Sequence, residues 1–437
     1  MITTDFNSQM PIAFNPQLSY NEFNYRSLQI TSQLKQQQIK QVSLWFDDAV
    51  NFACTLLACF NANVNVLIPP NLLDENKQWV EQNSDLLIDD KIFADFGILQ
   101  KVDKMLPLID EQNQTEIWLK TSGSSGSAKI IKKTAQQMWQ EAAALMQALP
   151  FQPEDKLHLI SSVTVQHCYG LSFRIFLPLA MGWTIGRHQL HYPEYLLEES
   201  RQIKPTLWVS SPALLSRLNL ANKQLQNSEI KGIISSGGPL PEQVAQDIRE
   251  LIKQPVIEIY GSTETGAIAS RETGNWTAMP SVGLGLNVQG ALWVEGNWIT
   301  GREQTADAVE FSNNGFQLLG RIDRIVKLGD KRISLAKIEQ DLLKHQWISD
   351  CYIAQHPEKQ RPVAWVALNS LGISQFQLQD RKQFINELRQ FLMQTQESLA
   401  LPRFWRFCSQ LPRNSQSKIS RIDFETICFK QQKDHFE

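Results

Sequence analysis

The stretch Thr121-Ser122-Gly123-Ser124-Ser125-Gly126-Ser127-Ala128-Lys129 organises the rest of this sequence. It follows an apolar run at 117–119 that predicts a strand, and it precedes a segment at 135–149 that predicts a helix. Glycine lets successive backbone N–H groups face one ligand, and the hydroxyls and Lys129 add donors and positive charge. The stretch is therefore suited to hold phosphate oxygens. Its spacing is not that of a Walker A loop, and a flexible Ser/Gly linker is the alternative interpretation.

The composition describes an ordinary globular protein. The chain has 437 residues, of which 42% are hydrophobic and 20% charged, so two or three domains are expected. The net charge of −3 gives no attraction to nucleic acid, and no apolar run is long enough to cross a bilayer. The six cysteines are scattered and no export signal precedes them. We therefore expect free thiols in a reducing cytoplasm, with no nucleic-acid partner and no integral membrane segment.

The first 300 residues alternate between strand and helix patterns. Strands predicted at 41–46 and 64–68 flank a helix predicted at 49–61, and this βαβ unit indicates a parallel sheet. Before this unit, residues 1–40 are rich in Asn and Gln and are expected to be partly irregular. Glycine and hydroxyl residues follow three of the later strands, at the end where α/β sheets bind ligands. The later strands are predicted at 157–161, 207–210, 232–235 and 256–260.

The pattern changes after about residue 280 to short strands and then to a small α+β arrangement. Residues 369–380 are polar and predict a loop. The prediction is an N-terminal α/β domain over 1–322 with parallel sheets and a small α+β domain over 323–437. In the second domain, helices are predicted at 335–345 and 381–393, and strands at 351–354, 363–368 and 405–408.

Four stretches taken together resemble the adenylate-forming superfamily of acyl-CoA synthetases, nonribosomal peptide adenylation domains and firefly luciferase. The resemblance runs from about residue 117 to the C-terminus, and the residues before it look abbreviated beside a full-length N-terminal domain of that family. It implies the acyl-CoA synthetase-like fold, with a large N-terminal domain and a mobile C-terminal one. The four stretches are 121–129, 260–266, Gly320-Arg321-Ile322-Asp323 and 411–421.

The first stretch resembles the loop with which this family handles the β- and γ-phosphates of ATP. A proline usual before the lysine is replaced by Ala128, which removes some loop rigidity. The resemblance assigns nucleotide binding to Thr121, Ser122, Gly123, Ser124, Ser125, Gly126 and Lys129.

The second stretch, Tyr260-Gly261-Ser262-Thr263-Glu264, resembles the second nucleotide motif of the family. The resemblance implies that Thr263 binds the α-phosphate and that Glu264 holds Mg²⁺, which needs few carboxylates when phosphate oxygens complete its shell. Tyr260 would stack on adenine, with Gly261 beside it in the motif and Ser236-Gly237-Gly238-Pro239 passing beneath the base. For Tyr260, a core aromatic at a strand end is the alternative.

Asp307 and Arg321 stand where the family places its two ribose contacts. The usual Thr-Gly-Asp is Thr305-Ala306-Asp307 in this chain. Two opposite charges can clamp a vicinal diol through charge-assisted hydrogen bonds. For Asp307 alone, an acid in a surface loop is an equally good interpretation.

Asp323 aligns with the hinge about which these enzymes rotate the C-terminal domain between two half-reactions. One orientation brings a C-terminal lysine to the acyl group, and the other brings a loop that includes Gly329, Asp330 and Arg332 to the thiol channel. The family's usual glycine falls at Asp330 in this chain, beside Gly329. That departure concerns the thioester step.

Lys418 matches the catalytic lysine of the last motif, although the usual neighbouring glycine is Ser417. An ammonium group directed at developing negative charge stabilises a transition state. Without the motif, a solvated lysine in the C-terminal tail is the simpler interpretation.

The segment Gln166-His167-Cys168-Tyr169-Gly170-Leu171 resembles the start of the acyl-binding helix in the coumarate- and benzoate-CoA ligase branches. The resemblance implies that His167, Tyr169 and Gly170 border the acid. A structural histidine is the alternative for His167. Two other patterns lack their context: His345 and Asp350 have acyltransferase spacing without a phosphate site, and Gly283 and Gly285 lack the third glycine of a dinucleotide fingerprint.

The resemblance implies ATP-dependent conversion of a small carboxylic acid to an acyl-adenylate, followed by transfer to a thiol. ATP and Mg²⁺ would be the cofactors, and CoA or the phosphopantetheine arm of an acyl carrier protein the acceptor. The form of the first motif resembles ligases of aryl-polyene and fatty-acid-like pathways, which favours an aromatic or unsaturated acid (aryl, fatty or polyene) and a carrier-protein acceptor. The alternatives are a degenerate nucleotide- or acyl-binding protein without turnover, and an adenylating enzyme without a thioester step.

Overall fold

A computed structural model of the protein describes residues 9–96, 109–121, 129–221, 225, 229–328, 331–359, 361–413 and 419–429. The chain forms two compact units. The first comprises Met1–Leu284 with Val294–Glu303, and the second comprises Gly285–Trp293 with Gln304–Glu437. The division lies ahead of the predicted boundary at Asp323, so the boundary and the hinge stay predictions.

The first unit contains two larger sheets, in the strand orders β5-β3-β4-β6-β7 and β14-β13-β12-β11-β10-β8-β9. Its described strands are β1 (Pro11–Ala13), β2 (Leu18–Ser19), β3 (Gln41–Leu44), β4 (Asn65–Ile68), β5 (Leu86–Ile88), β6 (Glu116–Lys120), β7 (Ile130–Thr134), β8 (His158–Ser161), β9 (Thr184–Gln189), β10 (Thr206–Ser210), β11 (Ile230–Ser235), β12 (Val256–Ser262), β13 (Gly266–Arg271) and β14 (Thr277–Ala278).

Helices accompany both sheets. A π-helical turn, Leu171–Phe176, joins two of the helices into one continuous segment, and a short 3₁₀ turn lies at Pro153–Asp155. The described helices are α1 (Tyr20–Gln36), α2 (Ala49–Ala62), α3 (Asp74–Asn83), α4 (Asp90–Asp95), α5 (Ala135–Ala148), α6 (Cys168–Gly170), α7 (Leu177–Met181), α8 (Pro193–Gln202), α9 (Pro212–Leu215) and α10 (Glu242–Ile252).

The first sheet grows from the predicted βαβ unit. Strands β3 and β4 are parallel, and α2 connects them. The Asp48 carboxylate caps α2 by accepting from the N–H groups of Val50 and Asn51, a contact typically worth about 1 kcal/mol. The helix is apolar nearly all round because it is buried in the main core. The predicted parallel sheet is thus confirmed, with β7 as an antiparallel edge.

The second sheet carries the ligand-binding edge expected of an α/β fold. Strands β8, β9, β10, β11 and β12 are parallel, whereas β13 and β14 are added antiparallel. The chain passes from β8 to β9 on one side and then to β10 on the other side of β8. This reversal of strand order is the topological switch point, where open α/β sheets form a crevice at the carboxyl ends of their strands.

The sequence interpretation missed two helices, one in a segment expected to be partly irregular and one in a segment predicted as a loop, and the loop prediction is wrong. Residues 1–40 contain the 17-residue helix α1, capped reciprocally by Ser19 and Glu22. Its inward face carries polar Asn24 and Gln29 beside apolar residues, and this mixture hid the helical period. Residues 369–380 contain a helix at Ser370–Leu378. Gly372, which favours a loop by composition, instead lets this helix approach the carbonyl oxygen of Trp347, since a Cβ there would lie 2.3 Å from that oxygen.

Beyond these two larger sheets, a four-stranded sheet, a two-stranded hairpin and a three-stranded sheet with helices follow. Strands β21 and β22 are antiparallel, and β22 and β23 are parallel. The helices pack around a core in which Trp347 and Phe384 stack at 4.8 Å between ring centroids. The remaining elements are β15 (Gly283–Leu286), β16 (Ala291–Glu295), β17 (Arg302–Ser312), β18 (Gly315–Arg321), β19 (Ile325–Leu328), β20 (Lys331–Ser334), α11 (Leu335–Leu342), β21 (Ile348–Gln355), β22 (Pro362–Leu368), α12 (Ser370–Leu378), α13 (Arg381–Leu392), β23 (Phe404–Cys408) and α14 (Arg421–Phe429).

Among the residues that the structure describes, no helix combines the length and the apolar character needed to cross a membrane. The six cysteines are all buried, and none is joined to another by a disulfide bond.

Candidate functional site

The predicted phosphate loop connects two paired strands at the edge of the first sheet. The Thr121 N–H donates to the Lys129 carbonyl at 2.8 Å, and the Lys129 N–H donates back to Thr121 Oγ1 at 3.4 Å. These bonds extend the β6–β7 ladder up to the loop. The flanking residues are therefore a hairpin rather than an interdomain linker. The predicted ligands Ser122, Gly123, Ser124, Ser125 and Gly126 lie outside the described residues.

The predicted adenine site is formed by the ends of two neighbouring strands. Ser236 Oγ donates to the Ile259 carbonyl at 2.9 Å, which joins the loop after β11 to the residue before Tyr260. Gly237 has φ +90, and both Gly237 and Gly238 are exposed with open space around the position of a Cβ, as Pro239 is exposed beside them. The half-buried Tyr260 ring packs against Trp276 at 5.6 Å between centroids.

The predicted Thr263–Glu264 motif is a tight turn between β12 and β13. Residues 263–265 separate the paired Ser262 and Gly266, and Gly266 has φ +67. At Gly261 a Cβ would lie 2.0 Å from the Gly266 carbonyl oxygen, so glycine is required where the two strands meet. Within the described part of the chain, the Glu264 carboxylate forms no hydrogen bond or ion pair. It is therefore free to bind a ligand.

The β6–β7 hairpin, which flanks the predicted phosphate loop and is called the phosphate hairpin below, lies beside this turn. The ammonium group of Lys133, on β7, donates to the Glu264 carbonyl at 3.3 Å. A cleft of about 290 Å³ lies along this junction. Its lining comprises Ile130, Ile131, Lys132, Lys133, Gln137, Glu264, Trp298, Ile299, Thr300 and Glu303. The structure thus brings together, in one unit, two motifs that are more than a hundred residues apart in sequence.

Two residues at this junction were missed by the sequence interpretation. Lys133 and Glu141 are buried, with 3% and 2% of their surface exposed. Lys133 carries no distinctive local pattern. Glu141 follows Met138 by three residues and precedes Leu145 by four, so it lies on the buried stripe of α5. An acid on an apolar stripe is a signal that would have found it.

The predicted acyl-binding residues start α6 near the switch point of the second sheet. The Tyr169 hydroxyl lies 2.9 Å from the Ser210 carbonyl and 3.0 Å from the Ile234 carbonyl, so its one proton is shared between two strand ends. Burial raises the pKa of Tyr169 well above its ordinary value. His167 is exposed and accepts from the Tyr169 N–H, and Gly170 packs against the Thr164 carbonyl where a Cβ would lie only 1.7 Å away.

The two predicted ribose contacts are brought together in the second unit. Asp307 on β17 and Arg321 on β18 are directly opposite each other across an antiparallel pair. Directly opposite residues point to the same face of a sheet, with Cβ atoms about 5 Å apart. A carboxylate and a guanidinium are therefore available on one face, although they are 14 residues apart in the sequence (321 − 307).

The hinge and thioester-loop residues are described only in part. The backbone of Asp323 lies in the 3₁₀ turn Ile322–Arg324, and the backbone of Arg332 lies in β20. Gly329 and Asp330 lie outside the described residues, as does Lys418.

The segment that contains Lys418 is bracketed by a β-bridge between Arg413 and Ile419. Arg413 donates to both oxygens of Asp350, from Nε at 2.6 Å and from Nη2 at 2.8 Å. The Asp350 carboxylate, one half of the His345/Asp350 pattern, is therefore held by Arg413. His345 accepts from the Trp347 N–H and packs against Phe391, so neither residue is arranged as an acyltransferase pair.

The donor set suits a metal that is held chiefly by a nucleotide. In the residues that the structure describes, no three His, Cys, Asp or Glu side chains cluster to form a metal site. Glu264 is one of two carboxylates that line the cleft, with Glu303, and Mg²⁺ commonly uses one or two carboxylates together with phosphate oxygens and water. The residues present therefore fit Mg²⁺ bound with ATP.

The fold and these motifs define the class of nucleotide-dependent, adenylate-forming enzymes. The family model "AMP-binding enzyme" matches residues 72–295, and "AMP-binding enzyme C-terminal domain" matches residues 337–418. This chain belongs to the AMP-binding enzyme family. The predicted family and fold class are thereby confirmed.

Curated relatives include the 4-coumarate–CoA ligase of Halorhodospira halophila, 24% identical over 76% of this chain and 81% of that protein. The 2-succinylbenzoate–CoA ligase of Bacillus licheniformis is 22% identical over 69% of this chain and 68% of that protein. Among solved structures, a benzoate CoA ligase from Burkholderia xenovorans has a TM-score of 0.80 at 16% identity, covering 97% of this chain and 98% of that one. These structural likenesses establish the fold.

Proposed function

We propose that this protein is an AMP-forming ligase that joins a small carboxylic acid to the thiol of CoA. The hydrogen bond from Lys133 to the Glu264 carbonyl carries the proposal, since it places the phosphate hairpin beside the Thr263–Glu264 turn. The relatives named as CoA ligases, for coumarate and for succinylbenzoate, support the same reaction class.

In the first step an oxygen of the acid attacks the α-phosphorus of ATP. The bond from that phosphorus to the bridging oxygen breaks, which gives the acyl-adenylate and pyrophosphate. Thr263 would bind the α-phosphate, and the 121–129 loop would hold the departing pyrophosphate. Glu264 would hold Mg²⁺, which neutralises charge on the phosphates. Positioning and charge neutralisation supply most of the catalysis in transfers of this kind.

In the second step the thiol sulfur attacks the acyl carbon, AMP leaves, and the thiol proton passes to solvent or to a base. Lys418 would stabilise the charge that develops in the first step, as the resemblance implies. Asp323 would be the hinge, and the loop with Gly329, Asp330 and Arg332 would serve the thioester step. Asp307 and Arg321 would bind the ribose from one face of their hairpin.

We further propose an aromatic or unsaturated acid as the substrate and a cytoplasmic location. The phosphopantetheine arm of an acyl carrier protein is the second candidate acceptor. The first motif, which resembles that of aryl-polyene ligases, favours it. His167, Tyr169 and Gly170 would border the acid near the switch point.

The test is ATP–pyrophosphate exchange with a panel of aromatic, unsaturated and aliphatic acids. We expect exchange with at least one acid. Glu264→Gln and Lys418→Ala should each lower the rate by about a hundredfold, a usual effect of removing one group that stabilises transition-state charge. Folded wild-type protein that binds MgATP and exchanges with no acid would instead support the degenerate binding protein.

Acceptor identity is tested by supplying CoA and holo acyl carrier protein in parallel once an acid is known. Thioester formation with CoA supports the main proposal, and formation only with the carrier protein supports the second candidate. Exchange without any thioester would identify an adenylating enzyme that lacks the second step.

A further inference from the structure

Lys133 is an unusual lysine because its charge is buried without an ion pair. Its side chain lies on β7, four residues after Lys129, and only 3% of the residue is exposed. Its single described hydrogen bond runs from Nζ to the Glu264 carbonyl oxygen at 3.3 Å. In the described part of the chain, no carboxylate oxygen lies within 4.0 Å of this ammonium. Buried charges are usually paired with an opposite charge. A buried lysine that donates only to a backbone carbonyl therefore requires an explanation.

Glu141, on α5, binds the strand that follows the same turn. Its Oε1 atom accepts from the Ala267 N–H at 2.9 Å and from Ser172 Oγ at 3.1 Å. Its Oε2 atom has no hydrogen-bond partner among the described residues. A Cβ built on Gly266 would lie 2.7 Å from that oxygen, so the backbone presses directly against the carboxylate.

A third buried side chain completes the support of the turn. Trp298, 1% exposed, donates from Nε1 to the Thr265 carbonyl at 2.9 Å. The carbonyls of 264 and 265 and the N–H of 267 are thus each bound by a different buried side chain. These side chains come from β7, from α5 and from the segment after β16. A three-residue turn would need only its own Ser262–Thr265 hydrogen bonds to close.

We infer that Lys133 and Glu141 are positioning residues that hold Thr263 and Glu264 in place for MgATP. The inference rests on the proposed function, which assigns the nucleotide and its metal to this turn. Lys133 also lies on the strand that leaves the phosphate loop, so one side chain links the two nucleotide motifs. Neither residue touches the reacting atoms.

The neighbouring Lys132 provides a matched control. It lies on the opposite face of β7, where its ammonium stands 3.7 Å from the centroid of the Trp118 ring and 3.6 Å from the Glu116 carboxylate. Half of its side chain is exposed. Lys132→Met and Lys133→Met therefore make the same chemical change on two faces of one strand.

The experiment measures KM for MgATP and kcat in pyrophosphate exchange, and MgATP affinity by calorimetry, for the full-length chain. We expect Lys133→Met to raise KM and weaken affinity by about tenfold, roughly the loss of one charged hydrogen bond. Lys133→Arg, which keeps a donor, should restore most of the affinity. Lys132→Met, which removes a half-exposed ammonium that also lines the cleft, should weaken affinity much less than Lys133→Met. A role in fold stability alone would lower the melting temperature without this selective change in KM and affinity.

The inference is overturned if folded Lys133→Met matches Lys132→Met in both KM and affinity. If Lys133→Met does not fold, Glu141→Met decides, because it removes the acceptor of the Ala267 N–H at the second residue of the inference. A smaller rise in KM supports the inference, and unchanged KM and affinity refute it. Wild-type protein that binds MgATP without exchange would refute the proposed function alone, and the affinities of the variants would still decide whether Lys133 positions the turn.

Discussion

Two glutamates with little exposed surface, one in each unit, show how a carboxylate is used differently at a site and in a core. Glu141 on α5 and Glu339 on α11 both accept a backbone N–H from a distant strand, from Ala267 and from Ile353. Burial raises the pKa of both carboxyls. Glu339 also has a direct cation partner, because Arg324 donates to both of its oxygens.

Among the residues that the structure describes, no cation donates to Glu141, and Lys133, whose charge lowers its pKa, donates elsewhere. One oxygen of Glu141 is unpartnered among the described residues, and Lys133 donates to the Glu264 carbonyl instead of forming an ion pair. The difference indicates that a carboxylate with hydrogen bonds to both oxygens, such as Glu339, has a structural role. Glu141 and Lys133, which do not pair with each other, instead support the turn that carries the predicted catalytic residues. A buried polar atom without a hydrogen-bond partner is tolerated where it serves a functional site.

The largest effect that tests this comparison is expected at the structural pair. Glu339→Gln removes the anionic partner of Arg324 and should destabilise the second unit by about 3 kcal/mol, the lower end of the range for breaking a buried pair, because Arg324 is 26% exposed. Denaturant unfolding measures the loss of stability. Hydrogen exchange in Ile348–Gln355, the strand that Glu339 binds, shows where the loss occurs. MgATP affinity is the second readout.

Its control removes both charges together. The double variant Arg324→Met/Glu339→Met leaves no uncompensated charge and should lose less stability than Glu339→Gln. A double variant that is the less stable of the two would show that the pair contributes net attraction, and the comparison would fail for Glu339.

Asp341, also on α11, gives the next largest effect and depends on pH. Burial raises its pKa, but hydrogen bonds from Lys344, Gln396 and Lys337 outweigh this and lower it from 3.8 to about 2. Because a lowered carboxyl pKa favours the folded state above the unfolded pKa, Asp341→Asn should destabilise the protein by about 2 kcal/mol at pH 7. The loss should fade as the pH falls from 3.8 towards 2, and unfolding curves at several pH values measure it. A loss that is independent of pH would remove the charge-based explanation.

The alternation of strands and helices in the first unit could be predicted because its signals are local. The βαβ unit at 41–68 has β-branched strands, a capping Asp48 and an apolar helix. The pairing of Asp307 with Arg321 follows from one hairpin, and its register confirms that the two residues lie opposite each other. Motif spacing was enough to indicate the family.

What could not be predicted depends on contacts between distant parts of the chain. Lys133 and Glu141 meet partners 131 and 126 residues away, so no window of sequence contains the information. Helix α1 escaped prediction because polar side chains such as Asn24 and Gln29 occupy its buried face. The loop predicted where α12 lies was wrong for a related reason, because Gly372 allows the helix to pack closely against Trp347.

The smallest expected effect is at Glu141, where the pH dependence of stability reports the ionisation of its carboxyl group. Its folded pKa is raised from 4.5, so the folded state binds the proton more tightly than the unfolded chain does. Wild type therefore loses stability as the pH rises from 4.5 through the raised folded pKa, whereas Glu141→Gln has no such group to ionise. The free energy of unfolding of wild type minus that of Glu141→Gln should accordingly fall with rising pH. The fall is reduced because the charge of Lys133 and the hydrogen bond from the Ala267 N–H oppose the effect of burial. The matched control is Asp341→Asn, for which the same difference must rise with pH between about 2 and 3.8 because its pKa shift has the opposite sign. If both differences move in the same direction, the contrast between an incompletely paired and a fully paired acid does not hold.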